Sequence, residues 1–173
     1  MGLSYTPPRG VVDSTTMLPD ALDIGHATFW MQVGAALFCG GAIGIERQLR
    51  GKAAGVRTSI LVCLGTEVFV ALGAAVVGPN VDPTRVLGQV ITGIGFLGAG
   101  VILAREGRLL GVTSASVIWM LAALGALCGL GYLSTAIVLT LVALIVLIGI
   151  EALETGWEKL RRGRTDLDLK IED

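Results

Sequence analysis

The chain has 173 residues, 53% of them hydrophobic and 25 of them glycine, with a mean hydropathy of +0.77. Only 16% are charged, against about a quarter in a water-soluble domain, so a soluble single domain is excluded. The formal net charge of −1 carries no signature of a nucleic-acid partner.

Five runs approach or reach the roughly 17–25 apolar residues needed to cross a bilayer: residues 28–45, 58–77, 86–104, 112–128 and 134–150, with Glu67 as their one formal charge. The predicted fold class is an all-α integral membrane protein with five transmembrane helices. Residues 1–27 form an outer N-terminal arm and an interfacial helix start, 28–150 the membrane domain, and 151–173 a cytoplasmic amphipathic helix and polar tail. Eleven basic residues lie on one side (Arg47, Arg50, Lys52, Arg57, Arg105, Arg108, Lys159, Arg161, Arg162, Arg164, Lys170) and two on the other (Arg9, Arg85). Because Lys and Arg concentrate in cytoplasmic loops, the N-terminus is expected outside and the C-terminus in the cytoplasm.

In chain order, residues 1–27 lack a basic stretch leading into an apolar core, and Pro7-Pro8 argues against a cleaved signal peptide. Pro19, Asp20 and Asp23 suit a helix start, and Trp30 falls at the outer interface. His26 is the sole histidine and has no evident partner as a ligand. In the first span Ala36, Gly40 and Gly44 recur every four positions, a stripe that lets two helix backbones approach closely in lipid. Cys39, Cys63 and Cys128 sit in three different spans with no metal-type spacing, and are read as buried thiols packing as small apolar groups.

The 46–57 loop is unusually polar. Glu46, Arg47, Gln48, Arg50, Lys52 and Arg57 fall within twelve residues, followed by Thr58. Glu46 and Arg50, four apart, are spaced to pair. The cations suffice to hold a phosphate or a lipid headgroup, or serve only to set topology. In the second span Glu67 is either a functional intramembrane acid, with proton coupling as the sharpest version, or a protonated carboxyl bonded to a backbone carbonyl or to Thr66, Gln89 or Thr92.

Residues 78–83 make an outer turn, with Asp82 capping the third span and Arg85 and Gln89 on one face. The run Gly93-Ile-Gly-Phe-Leu-Gly-Ala-Gly100 matches a dinucleotide fingerprint only as a string, since no strand precedes it. Its glycines either thin the helix for close packing, the favoured reading, or loosen it so that carbonyls line a site. The fourth span opens with Thr113, Ser114 and Ser116. The fifth is the most uniformly apolar and the most lipid-exposed. Beyond it, Leu153, Trp157 and Leu160 mark one side of a helix over 151–162, and 166–172 alternate like a strand.

The segment Glu46-Arg-Gln-x-x-Gly-Lys-x-Ala-Gly-x-Arg-Thr58, with Leu61-Val-x-Leu-Gly65, resembles the signature loop of the MgtC/SapB family of bacterial inner-membrane proteins. Asp82-Pro-x-Arg-Val-x-x-Gln89 with Gly93–Gly100 is similar to its second signature, and residues 111–119 to a looser third. The resemblance spans about 34–131. It implies a five-span bacterial membrane protein associated with growth at low magnesium and with virulence, some members modulating other membrane machinery such as the ATP synthase rather than carrying magnesium. The polar positions carried over are Glu46, Arg47, Gln48, Lys52, Arg57, Thr58, Asp82, Arg85 and Gln89. The chain departs from the pattern at Thr113, where many members have Asn, at Met120, where some have Cys, and at Glu67, where a small apolar residue is expected. Larger members carry an ACT-like cytoplasmic domain, and this chain is expected to be a short member without one.

Three functional classes follow. The first is a regulatory or interaction protein acting through the 46–57 loop and the membrane helices, on another inner-membrane complex or on an anionic ligand or lipid headgroup. The second is an oligomeric transporter of a small ion or solute, with Glu67, Gln89, Thr92 and the glycine-rich third span lining a midplane path; five spans are few for a monomeric carrier, so a homodimer or a higher homo-oligomer is expected. An enzyme is the third, and without a Ser/His/Asp set or a metal-ligand cluster no catalytic residue, metal or cofactor is expected.

Overall fold

The structure is a computed structural model that describes residues 20–76, 82, 84–105 and 108–169; in 103–105, 108–109 and 151–169, Leu153 apart, only the backbone is described. The elements are helices α1 (Ala27–Leu49), α2 (Val56–Ala75) and α3 (Thr84–Gly100), strands β1 (Leu103–Arg105) and β2 (Arg108–Leu110), then α4 (Val112–Gly129) and α5 (Leu133–Leu169). Four helices are long and apolar enough to cross a membrane: α1, α2, α4 and the 133–150 part of α5. At 17 residues and 1.5 Å per residue, α3 reaches about 26 Å, slightly less than the ~30 Å hydrocarbon layer.

The centre is α2, with α1 on one side and α4 on the other; α3 packs chiefly on α4, and α5 on α1 and α4. Small residues set these approaches. A Cβ on Gly40 would stand 2.8 Å from the Ile60 Cα, and one on Gly44 2.7 Å from the Val56 Cα. The stripe on α1 therefore seats α2. Gly125 and Gly129 of α4 seat the same helix from its other side, where a Cβ on Gly129 would meet the Glu67 carbonyl at 2.5 Å. Cys39, Cys63 and Cys128 are fully buried and free, and pack in one cluster with Ala36, Ile43, Leu121 and Leu124. On α5, Ala136 and Thr140 are the buried residues within the described 133–150 stretch, consistent with a helix facing lipid.

Several expectations are corrected. The first helix starts at Ala27 rather than at Asp20 or Asp23: the Asp23 carboxylate accepts the Gly25 amide at 2.9 Å, and its carbonyl accepts the His26 amide at 2.9 Å. That turn satisfies the local donors and delays the helix. His26 has a partner after all, Asp20 at 3.7 Å. The third helix ends at Gly100, not at 104, because Gly98-Ala-Gly100 is a poor helix end-run and 103–105 pair antiparallel with 108–110, Arg105 opposite Arg108. The 105–111 loop is thus mainly a hairpin. Glycine packing holds on α3 only at Gly98, buried with a Cβ position 3.7 Å from the Ala115 side chain of α4, whereas a Cβ on Gly93, Gly95 or Gly100 would meet nothing within 4 Å. The strand-like 166–169 stretch is helical, since α5 runs to Leu169. Residues 1–18 of the predicted arm and most of the outer turn at 78–83 lie outside the described residues.

Candidate functional site

The most polar part of the bundle is where α1 ends and α4 begins. The last turn of α1 buries Glu46 and Arg47, 7% and 2% exposed. Glu46 is shared between two guanidiniums: Arg50 Nε lies 2.7 Å from Oε1, the expected i,i+4 pair, and Arg47 Nε lies 2.8 Å from Oε2. Arg47 Nη1 is buried and, among the described residues, has no hydrogen-bond partner.

The helix then stops at a glycine C-cap. Gly51 has φ +61, its amide donates to the Gln48 carbonyl at 3.1 Å, and the Lys52 amide folds back to the Arg47 carbonyl at 3.0 Å, the paired bonds of a Schellman end. This turn lays Lys52 over the end of its own helix, beside Arg47. The rest of the loop is braced. Gln48 Oε1 accepts the Val56 amide at 3.4 Å, serving an otherwise open donor at the start of α2, and the Ser59 hydroxyl donates to the Ala54 carbonyl at 3.0 Å. Gln48 therefore acts as a brace. Lys52, Arg57 and Thr58 are exposed, and the Lys52 and Arg57 side chains make no hydrogen bond or ion pair among the described residues.

A cavity of about 510 Å³ lies at this corner, lined by Arg47 and Lys52 from one side, Leu110–Ser114 from the start of α4, and Val146, Leu147 and Ile150 from α5. Gly111 makes the corner possible: it has φ +88, in the left-handed region, and a Cβ there would run into the Val101 carbonyl.

The predicted membrane polar cluster does not assemble. Glu67 is 2% exposed, lies on the α4-facing side of α2 beside Cys128, and its Oε2 has no hydrogen-bond partner among the described residues. Arg85 and Gln89 instead line a separate open groove of about 770 Å³ between α2 and α3, with Thr58, Thr66 and Phe69. Thr92 is exposed and bonds back to the Gly88 carbonyl at 2.9 Å. Asp82 sits at the start of α3, where its Oδ1 accepts the Thr84 amide at 2.9 Å and the Thr84 hydroxyl at 2.7 Å; these bonds hold its carboxyl below the usual range. Thr113 belongs to the corner cavity with Arg47 and Lys52 and not with the midplane groups. Sequence reasoning missed that convergence, along with the meeting of the three thiols. The hairpin had a readable signal in Glu106-Gly107 between short apolar runs.

A set of apolar helices, four of them long enough to span a bilayer, with a compact charged corner at one end, defines a multi-pass α-helical membrane protein. A sequence model of the MgtC family matches residues 33–155, and the chain belongs to that family. It is 43% identical over 114 residues to Protein MgtC of Brucella abortus (strain 2308), covering 66% of this chain and 48% of that protein. It is 42% identical over 120 residues to the putative magnesium transporter YhiD of Escherichia coli (strain K12), covering 65% and 55%, and 42% identical over 110 residues to Protein MgtC of Salmonella typhimurium (strain LT2), covering 64% and 47%. The chain thus aligns with about half the length of these relatives. No solved structure matches it.

Proposed function

We propose that this chain is a regulatory membrane protein of the bacterial inner membrane. In this reading it crosses five times with the N-terminus outside, and its corner of Glu46, Arg47, Arg50 and Lys52, with Arg57 nearby, faces the cytoplasm and engages another membrane complex during magnesium limitation and in virulence. The supporting observation is the contrast between the two polar sets. The charged corner is built from interlocking bonds, whereas Glu67, Gln89 and Thr92 point to three different surroundings and line no common path. A carboxylate that binds a cation in transit needs other oxygen ligands around it, and among the described residues no group of three or more His, Cys, Asp or Glu is placed to hold a metal ion.

A transport reading draws on the groove between α2 and α3, whose wall carries Arg85 and Gln89, and on the name of the Escherichia coli relative. Magnesium and proton flux in vesicles reconstituted with wild type, Glu67→Gln and Arg57→Ala separates the two. The regulatory reading expects flux no greater than in protein-free vesicles. It also expects ATP-driven acidification of inverted bacterial vesicles to change when the chain is present and to revert with Arg57→Ala. Magnesium flux that disappears with Glu67→Gln would overturn it in favour of transport.

A further inference from the structure

We propose that the cavity between the end of α1, the start of α4 and α5 is a binding site for a phosphate group. Two sets of donors belong to residues on its wall and have no acceptor among the described residues. The first is the start of α4, an 18-residue helix whose N-cap, Gly111, offers no side-chain cap. Its first amide to find a backbone carbonyl is that of Ala115, at 2.9 Å from the Gly111 oxygen, so the amides of Val112, Thr113 and Ser114 lack intrahelical partners at the positive end of the helix dipole. The second is Arg47, which lines the same cavity and whose buried Nη1 has no hydrogen-bond partner among the described residues.

A buried guanidinium donor facing a set of open amides calls for an oxyanion that bonds both. The fork of an arginine matches phosphate oxygens in particular. Lys52 adds a mobile cation to the rim, and Thr113 and Ser114 add hydroxyls. Glu46 opposes an anion, but its oxygens are taken up by Arg47 and Arg50, and with Lys52 the described charged side chains of the corner sum to a positive charge. The opposite wall is apolar, formed by Leu110, Val146, Leu147 and Ile150. A phosphate with a nonpolar neighbour fits such a wall, and its source is either the headgroup of an anionic lipid or a phosphate from solution.

This site deepens the regulatory reading and rests on it for the side of the membrane that the corner faces. The test uses the full chain. Inorganic phosphate is titrated against the detergent-purified protein by calorimetry with chloride as control, and lipid retention is followed by native mass spectrometry from nanodiscs of phosphatidylcholine with and without phosphatidylglycerol. Lys52→Gln removes a rim cation. Thr113→Asp puts a carboxylate over the open amides, where it also favours the helix, so the variant keeps a thermal midpoint at or above wild type. Each change is expected to weaken binding about tenfold or more, the worth of one hydrogen bond to a charged group. Binding of inorganic phosphate assigns a soluble ligand, and retention of phosphatidylglycerol alone assigns a lipid headgroup. Absence of both, or binding that neither substitution weakens, overturns the site. The flux and acidification assays need no phosphate binding, so that failure leaves the regulatory reading standing.

Discussion

The closest backbone approach between α1 and α2 is at Gly44, which makes Gly44→Ala a sharp probe of how the bundle is held together. The added methyl would sit 2.7 Å from the Val56 Cα and 2.9 Å from the Ser59 Cβ. Ordinary contact between carbon atoms begins about 0.7 Å further out. Neither neighbour is the free end of a long side chain, so α1 and α2 must separate along the seam where the stripe of Ala36, Gly40 and Gly44 brings them together. Overpacking of this kind costs about 1–3 kcal/mol, offset by up to about 1 kcal/mol of helix propensity when Gly becomes Ala. A net loss of about 1–2 kcal/mol is expected.

The control is Gly93→Ala on α3, where a Cβ meets nothing within 4 Å and only the propensity gain remains. Reversible unfolding by SDS titration in mixed micelles, followed by helicity, measures both. Gly44→Ala should unfold at a lower SDS fraction than wild type, and Gly93→Ala at the same or a higher one. Wild-type stability for Gly44→Ala, or equal losses for the two variants, would refute the close α1–α2 seam.

Glu46→Gln leaves two guanidiniums without their carboxylate, one of them 2% exposed, and is expected to destabilise by about 3–5 kcal/mol, seen as a large fall in thermal midpoint in detergent. Gly111→Ala forces a side chain into φ +88 and against the Val101 carbonyl; it should cost more than the 1–2 kcal/mol of the left-handed conformation alone, read by the same SDS titration. The bonds from Thr84 depress the Asp82 pKa, so its contribution to the start of α3 is present above the ordinary carboxylate range, about pH 4, and is lost as pH falls through the lower folded value. Protection of the Thr84 and Arg85 amides against hydrogen exchange, taken relative to the unstructured rate at the same pH, should fall in Asp82→Ala at neutral pH, and in wild type only below about pH 4.

The apolar spans were legible in the sequence because they are a one-dimensional property: enough consecutive nonpolar residues cross a bilayer whatever they pack against. The Glu46–Arg50 pair was legible for the same reason, both partners lying on one helix at fixed spacing. Legibility ended where the answer depends on how helices rotate against each other. Glu67 and Gln89 were expected to share a midplane, yet Glu67 turns toward α4 while Gln89 lines the opposite groove. Glycine spacing looked alike on α1 and α3, but the α1 stripe meets the α2 backbone, whereas in the α3 run Gly98 alone meets a neighbour, Ala115 at 3.7 Å. Nothing in the local sequence at Thr113 announces that Lys52, sixty-one positions earlier, lines the same cavity.

That last case bears on how the charged corner is made. Three glycines shape the two segments that carry its polar groups. Gly44 lets α2 press against α1, fixing the direction in which the loop must leave. Gly51 closes the C-cap that folds Lys52 back over Arg47. Gly111 turns the chain out of the hairpin so that the open amides of α4 face the same space. Setting topology needs only that cations lie on one side of the bilayer; it does not require one of them to be buried or a helix start to be aimed at it. The sequestering of Arg47 against Glu46, on the wall of the cavity that the start of α4 also lines, goes beyond what a topology signal requires, and it favours a recognition role for this end of the molecule.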